Sequence, residues 1–337
     1  MGANNSKSSG KAAAARPMDG KTSQFEALPD ALATELFSLL SINEKAALAR
    51  TSTRAYGLFS QHIHAAKLLM LVAHGEQERA AHMLESKPEL LLERADVTDY
   101  SGRTFKNITA YEYAYWAKDT HMCRMLEAHM DEKTKAAMLE KVTAIDTVGL
   151  TYEQGGRVVE HSKHFDLMLA PLVEGGPPIK GPLLQALQDY VTGFDAWDAA
   201  NNYDAMSAAW MVVGLAQRDL PVHVINEYCR PDRSFDPLPA FNEDTLPRIL
   251  TCYNLGTRRD VPLFPLVVSG GDVLGVDVAV RRGGRVHPCG AHGWREVGAC
   301  AAIDLAAISR LDEVRTADLT QSRAILKIAS PDHGLRS

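Results

Sequence analysis

The stretch 24–60 constrains this chain more than any other. It opens at Leu28-Pro29-Asp30, and Leu32, Leu36, Phe37, Leu39 and Leu40 follow at spacings of three and four. That spacing sets the apolar side chains along one stripe of a helix. Ser41-Ile42-Asn43 interrupts the stripe, and Asn43 is a suitable cap for a second helix carrying Ala46, Leu48 and Ala49. Thr51-Ser52-Thr53-Arg54-Ala55-Tyr56 then leads into a third. About 40 residues arranged this way carry more apolar surface than they can bury alone. The segment 24–62 therefore needs a cover, either from elsewhere in the chain or from another protein.

Composition narrows what that cover serves. The 337 residues suggest two or three domains, with 46% hydrophobic and 23% charged residues, as in ordinary soluble proteins. A net charge of −6 argues against nucleic acid as a partner. No apolar run reaches the ~18 residues of a membrane-spanning helix, and the N-terminus lacks the apolar core of a secretory signal. Cys123, Cys229, Cys252, Cys289 and Cys300 are scattered and odd in number, which points to reduced, buried thiols in a cytosolic setting.

Residues 1–23 are rich in Ala, Ser, Asn and Lys and are expected to be disordered. Met1-Gly2-Ala3-Asn4-Asn5-Ser6 fits the myristoylation pattern, in which removal of Met1 exposes the Gly2 amine. Lys7, Lys11, Arg16 and Lys21 against Asp19 give the tail a charge of +3 (four minus one). An acyl chain and a basic stretch together can hold a membrane surface. The same tail reads equally well as an unmodified leader.

Residues 66–140 read as helical pairs. Leu68, Leu69, Leu71 and Val72 stripe one helix, which Gly75 ends as a left-handed terminus. Ala80, Ala81, Met83 and Leu84 stripe a second, which Lys87-Pro88 stops. Asn107-Ile108-Thr109-Ala110 opens another helix, and Asp119-Thr120-His121 leads into the next. From about 141 to 330 a mixed, mainly helical domain is expected. Helices are expected over about 183–197 and 203–218 and from Leu305 to Leu326. Strands are expected at Val222-His223-Val224-Ile225 and around Gly270-Gly271, with a loop at 175–178. The fold class is mainly α with a small β element.

Two clusters invite chemistry. Arg230 and Arg233 are suited to bidentate binding of a phosphate or carboxylate, and Cys229 beside them, with His223 upstream, has the makings of an activated thiol. The opposing reading is an ion-pair cluster in which Arg230, Asp232 and Arg233 brace a turn, and it is the one favoured here. His287, Cys289 and His292 are zinc-type residues without zinc-type spacing, so no metal is expected. His161 and His164 fit one helix face, more simply a solvated surface. No phosphate loop, dinucleotide fingerprint or nucleophile elbow is present, so no cofactor is expected.

Three resemblances bear on these readings. The segment 24–62 resembles an F-box, with Leu28, Pro29, Leu32, Leu36, Phe37 and Leu40 at the front and Tyr56 where the family carries tryptophan. This implies docking on the Skp adaptor of a cullin–RING ubiquitin ligase. Residues 66–140 resemble degenerate ankyrin repeats, with Ile108–Ala114 at the place of the Thr-Pro-Leu-His-x-Ala element. The runs 97–127 and 221–235 are similar to ankyrin-type effectors secreted by intracellular bacteria, some of which carry an F-box before the repeats. That resemblance implies a translocated effector acting in a eukaryotic host and transfers no catalytic residue. Taken with the F-box-like segment, the leading expectation is a non-catalytic substrate receptor in the host cytosol. It would recruit an unknown host protein, with a membrane association through Gly2 as a further option. The alternatives are an enzyme centred on Cys229, Arg230 and Arg233, or a membrane-tethered scaffold without a ligase role.

Overall fold

The computed structural model describes residues 28–40, 42–169, 179–230, 232–249, 251–254, 259–264 and 294–328. The tail with Gly2, the loop at 175–178, the Gly270-Gly271 strands and the His287–His292 cluster lie outside them. The protein is mostly helical, with one four-stranded antiparallel sheet and two short two-stranded ribbons among the described residues. The chain divides into two compact units, one ending at Ser60 and the other beginning at Gln61.

The first unit contains α1 (Asp30–Ser38), α2 (Ile42–Thr51) and the start of α3 (Thr53–Ala73). Helix α2 begins one residue before Asn43, which therefore sits in its first turn. Ser52 separates α2 from α3: its Oγ accepts the Ala55 N–H at 3.0 Å, a serine cap of the ordinary kind. Ala33, Phe37, Ala55 and Phe59 are buried, and the Phe37 and Phe59 rings stack with centroids 3.5 Å apart. Such a pair contributes about 0.5–1.5 kcal/mol beyond its buried area. Arg54 closes the unit by donating to Asp30 Oδ1 at 2.6 Å and to the Leu28 carbonyl.

The second unit holds two helical pairs. The end of α3 pairs with α4 (Gln77–Ser86), and α5 (Ala110–Trp116) pairs with α6 (Thr120–Glu127). Their turns are copies of one another, 43 residues apart (118 minus 75). Gly75 and Lys118 both have positive φ, 72° and 57°. In each copy the positive-φ residue donates three residues back, to Val72 or Tyr115, at 3.1 Å. The next residue donates five back, Glu76 to Leu71 and Asp119 to Ala114. This pairing is the Schellman closure of a helix. Glycine meets it without strain, whereas at Lys118 the surrounding contacts must impose it.

Between the pairs, β1 (Ala95–Thr98) and β2 (Thr104–Ile108) form a hairpin. Strand β2 also pairs with β3 (Leu150–Gln154), and β3 with β4 (Arg157–Ser162). One sheet thus joins the helical pairs to residues beyond α7 (Glu132–Thr147). Helix α5, read as opening at Thr109, does so through a capping box: Thr109 Oγ1 accepts the Glu112 N–H, and Glu112 Oε2 accepts the Thr109 N–H at 2.8 Å. All seven α5 residues are buried. Its three phenols each find a carboxylate, Tyr111 on Glu127 at 2.6 Å, Tyr113 on Asp99 at 3.1 Å and Tyr115 on Asp146 at 3.2 Å. A helix buried on every side needs such partners, because an unpaired hydroxyl inside costs about 1–3 kcal/mol.

Strands β5 (Met168–Leu169) and β6 (Ile179–Lys180) precede α8 (Pro182–Ala199) and α9 (Tyr203–Arg218), which match the expected helices closely. The expected strand at Val222–Ile225 is instead the first half of α10 (Val222–Cys229). Pro221 supplies φ −60° at its N-cap, and the Pro221 carbonyl accepts the Val224 N–H at 3.1 Å. All eight α10 residues are buried, so no polar face marks a helical period. The β-branched residues then favour a strand reading that tertiary burial overrides. A ribbon of β7 (Thr251–Asn254) and β8 (Arg259–Pro262) follows, and α11 (Trp294–Ile328) closes the described chain. Helix α11 puts Ala301, Ala307, Ile308 and Leu311 into one core and Leu319 and Leu326 into the other. No described helix is long and apolar enough to cross a membrane.

Candidate functional site

On the first unit, α1 separates its apolar residues into two sets. Phe37 turns inward and is 5% exposed, while Leu32 and Leu36 are each 48% exposed. Leu39 and Tyr56 are also exposed, Pro29 is exposed, and Leu28 and Leu40 are half-buried. Of the six residues assigned to adaptor binding, Phe37 thus holds the unit together, and Leu32 and Leu36 present apolar surface. Both follow from the helical period: 33 and 37 share one face, 32 and 36 the adjacent one.

In the second unit, the turn Ala117–His121 is where remote residues converge. The Ala117 carbonyl accepts from His223 Nε2 at 2.8 Å. Lys118 reaches Asp312 at 2.9 Å, Asp166 at 2.5 Å and Thr316 at 3.0 Å. Thr120 donates to Asp318, and His121 Nε2 contacts the Glu243 carbonyl at 2.9 Å. Arg248 joins the two copied turns, binding Asp119 through both of its terminal nitrogens at 2.8 Å and Gln77 Oε1 at 2.7 Å. Burial alone would raise the Asp119 carboxyl, but Arg248, with His223 and His121, holds it well below the usual carboxylate range.

Arg248→Ala leaves Asp119 without that guanidinium. The expected loss is about 3 kcal/mol, measured by chemical denaturation, because breaking a buried pair strands a charge. A loss below about 1 kcal/mol would mean that other groups or solvent already satisfy the carboxylate.

The Cys229–Arg233 run is an internal cluster. Glu227, fully buried, accepts from Arg315 at 2.7 Å and from Arg233, with Arg230 at 3.5 Å. Arg230 also binds Asp232 at 2.8 Å through two nitrogens, and Arg233 binds Glu243. The guanidiniums read as ligand donors are therefore held by carboxylates of the chain. Cys229 is buried at the end of α10, and the His223 ring is committed to the Ala117 carbonyl. Cys123 and Cys229 are outside any disulfide, but Cys300 is disulfide-bonded, so the expectation of five reduced thiols fails there.

His161 and His164 do not share a helix face. His161 lies exposed in β4 at φ 58°, and His164 follows in a loop, half-buried and 3.2 Å from Asp146. The signal for helix at this point was two histidines three apart, a spacing that a strand and its following turn satisfy as well. The convergence on Ala117–His121 was missed altogether. A repeat of the Gly75 turn at Lys118 would have disclosed it, had lysine not stood where glycine is expected.

Residues 182–326 match the family model described as the CBUA0006 C-terminal domain. That span covers α8 to nearly the end of α11. The chain is also 37% identical over 305 residues to the "Uncharacterized protein CBUA0006" of Coxiella burnetii (strain RSA 493 / Nine Mile phase I), covering 90% of this chain and 86% of that protein. No solved structure matches.

Proposed function

We propose that this chain, which belongs to the family of the Coxiella burnetii protein CBUA0006, is a non-catalytic substrate receptor for a Skp–cullin–RING ubiquitin ligase of a eukaryotic host. The kinship fits a protein of intracellular bacteria. The F-box-type and ankyrin-type assignments, and secretion into the host cytosol, are part of the proposal. One observation carries it: α1 leaves Leu32 and Leu36 half-exposed while Phe37 and Phe59 close the core beneath. An apolar pair left open on a small helical unit is a surface suited to a helical partner.

In this reading the first unit docks on the adaptor. The second, with its paired helices and buried charge clusters, holds the target. Catalysis is then approximation, in which a target lysine is kept near a charged conjugating enzyme supplied by other subunits. The arginines beside Cys229 serve the fold and take no part in covalent chemistry. Acylation of Gly2, read by intact mass after expression in a eukaryotic cell, would add a membrane address.

The test is affinity capture of the full chain from host lysate. Adaptor and cullin are expected with the native chain and lost with Leu32→Ala plus Leu36→Ala. Absence of ligase subunits from the native capture would refute the proposal.

A further inference from the structure

We infer that the groove between α3 and α4 is a docking site for an acidic, amphipathic segment of a partner protein. His64, Lys67 and Leu71 of α3 and Arg79, His82 and Met83 of α4, with Lys87 at the α4 C-cap, line a volume of about 530 Å³. Three fixed cations, Lys67, Arg79 and Lys87, and two histidines thus line one groove in a chain whose net charge is −6. The local compensation is partial. Arg79 pairs with Glu76, and His82 lies 3.0 Å from Glu85. Among the described residues no carboxylate pairs with Lys67 or Lys87. The Lys87 Nζ instead donates to His64 Nδ1 at 2.9 Å, which holds two basic side chains together.

The arrangement favours a peptide over a single phosphate. His64, Lys67 and Leu71 stand three and four apart on α3, and Arg79, His82 and Met83 do the same on α4. The fixed charges Lys67, Arg79 and Lys87 are therefore spread over two helices and their junction, with Leu71 and Met83 one turn away from Lys67 and Arg79. Leu71 and Met83 add apolar surface that a phosphate ion does not use and an amphipathic segment does. Burial lowers the His64 pKa, and Lys87 and Lys67 lower it further while Glu89 opposes them, so the ring is a neutral acceptor for Lys87 near neutral pH. An incoming carboxylate would restore its tendency to protonate. This docking role takes its cellular meaning from the substrate-receptor reading, because the segment bound would belong to the target.

The experiment is fluorescence anisotropy of the full-length chain with a labelled peptide. The probe carries Glu and Leu at helical spacing, and its control carries Lys in place of Glu. The acidic peptide is expected to bind, more weakly as salt rises, and the basic one to stay free. Lys67→Glu plus Lys87→Glu should weaken binding roughly tenfold, and Lys67→Ala plus Lys87→Ala by a smaller factor in the same direction. The alanine pair keeps the test readable should the reversed pair misfold. No binding, equal binding of both peptides, or affinity unchanged in both variants would overturn the inference. So would displacement by inorganic phosphate or phosphatidylserine vesicles at matched charge. The same variants are expected to retain adaptor capture. Adaptor lost from the native chain with peptide binding intact would strike the ligase reading and leave the groove standing.

Discussion

Glu227→Gln is expected to destabilise the larger unit by about 3–5 kcal/mol, although it changes neither shape nor volume appreciably. Glu227 is fully buried on α10 and accepts from Arg315 and Arg233, with Arg230 close by. A neutral amide leaves these guanidiniums facing one another, with Glu243, Asp232 and Asp318 as their carboxylate partners among the described residues and the Phe241 carbonyl 3.2 Å from Arg315. Arg315 suffers most, because it is itself buried and its other pairing, with Asp318, is longer at 3.4 Å. Chemical denaturation gives the loss directly. In Glu227→Gln with Arg315→Met, both charges of the pair are gone, and the double variant should recover part of the stability. A single-variant loss below about 1 kcal/mol would show that the cluster is solvated enough to tolerate a missing charge.

The second large effect is loss of stability in mild acid. His223 and His121 are buried, and burial first, then Arg315, hold their pKa values down, to about 4 and about 3. Asp119 opposes the shift for both rings, and Arg248 and Arg124 reinforce it for His223 and His121 respectively. The sign follows from proton counting. Above pH ~6.5 both rings are neutral whether the chain is folded or not, so pH has no effect through them. Below it the unfolded chain takes up protons that the folded chain refuses. Stability then falls by up to about 1.4 kcal/mol per pH unit for each ring, or about 4 kcal/mol for the pair by pH 5. Asp119 does not offset this, because its depressed pKa contributes fully above the ordinary carboxylate range and fades only in stronger acid. Denaturation free energies at pH 7.5 and pH 5 check the prediction, and His223→Asn should flatten the slope. Equal stability at both pH values would mean that the rings protonate without unfolding.

Which parts of this architecture the chain announced, and which it concealed, depends on range. Helices α8 and α9 were legible because each has a polar face, a start at Pro182 or Asn202 and a clear stop. Gly75 was legible as a left-handed terminus, and its φ of 72° agrees. The opening helices were legible as a stripe, but the stripe did not say which leucines face in. That choice is made by Phe37 stacking on Phe59 in a different helix. Helix α10 was illegible because burial on all sides erases periodicity. The four-stranded sheet was illegible because β2 and β3 are separated by one helical pair and α7 and share few residues. Asp119 and Arg248 lie 129 positions apart, so no local pattern ties them. The Cys229–Arg233 run was legible as a charge cluster, and the ion-pair reading of it matches what the side chains do. The tail with Gly2 and the His287–His292 loop fall outside the described residues.

The claim that depends most on a single surface is that Leu32 and Leu36 seat a Skp-type adaptor. Titration of the purified full-length chain with the purified adaptor, followed by calorimetry, measures it without other host proteins. Saturable one-to-one binding is expected, weakened by Leu32→Ala plus Leu36→Ala by about 2 kcal/mol or more, roughly thirtyfold, while both proteins stay folded. No heat of binding by the native chain, or an affinity unchanged in the double variant, would contradict it.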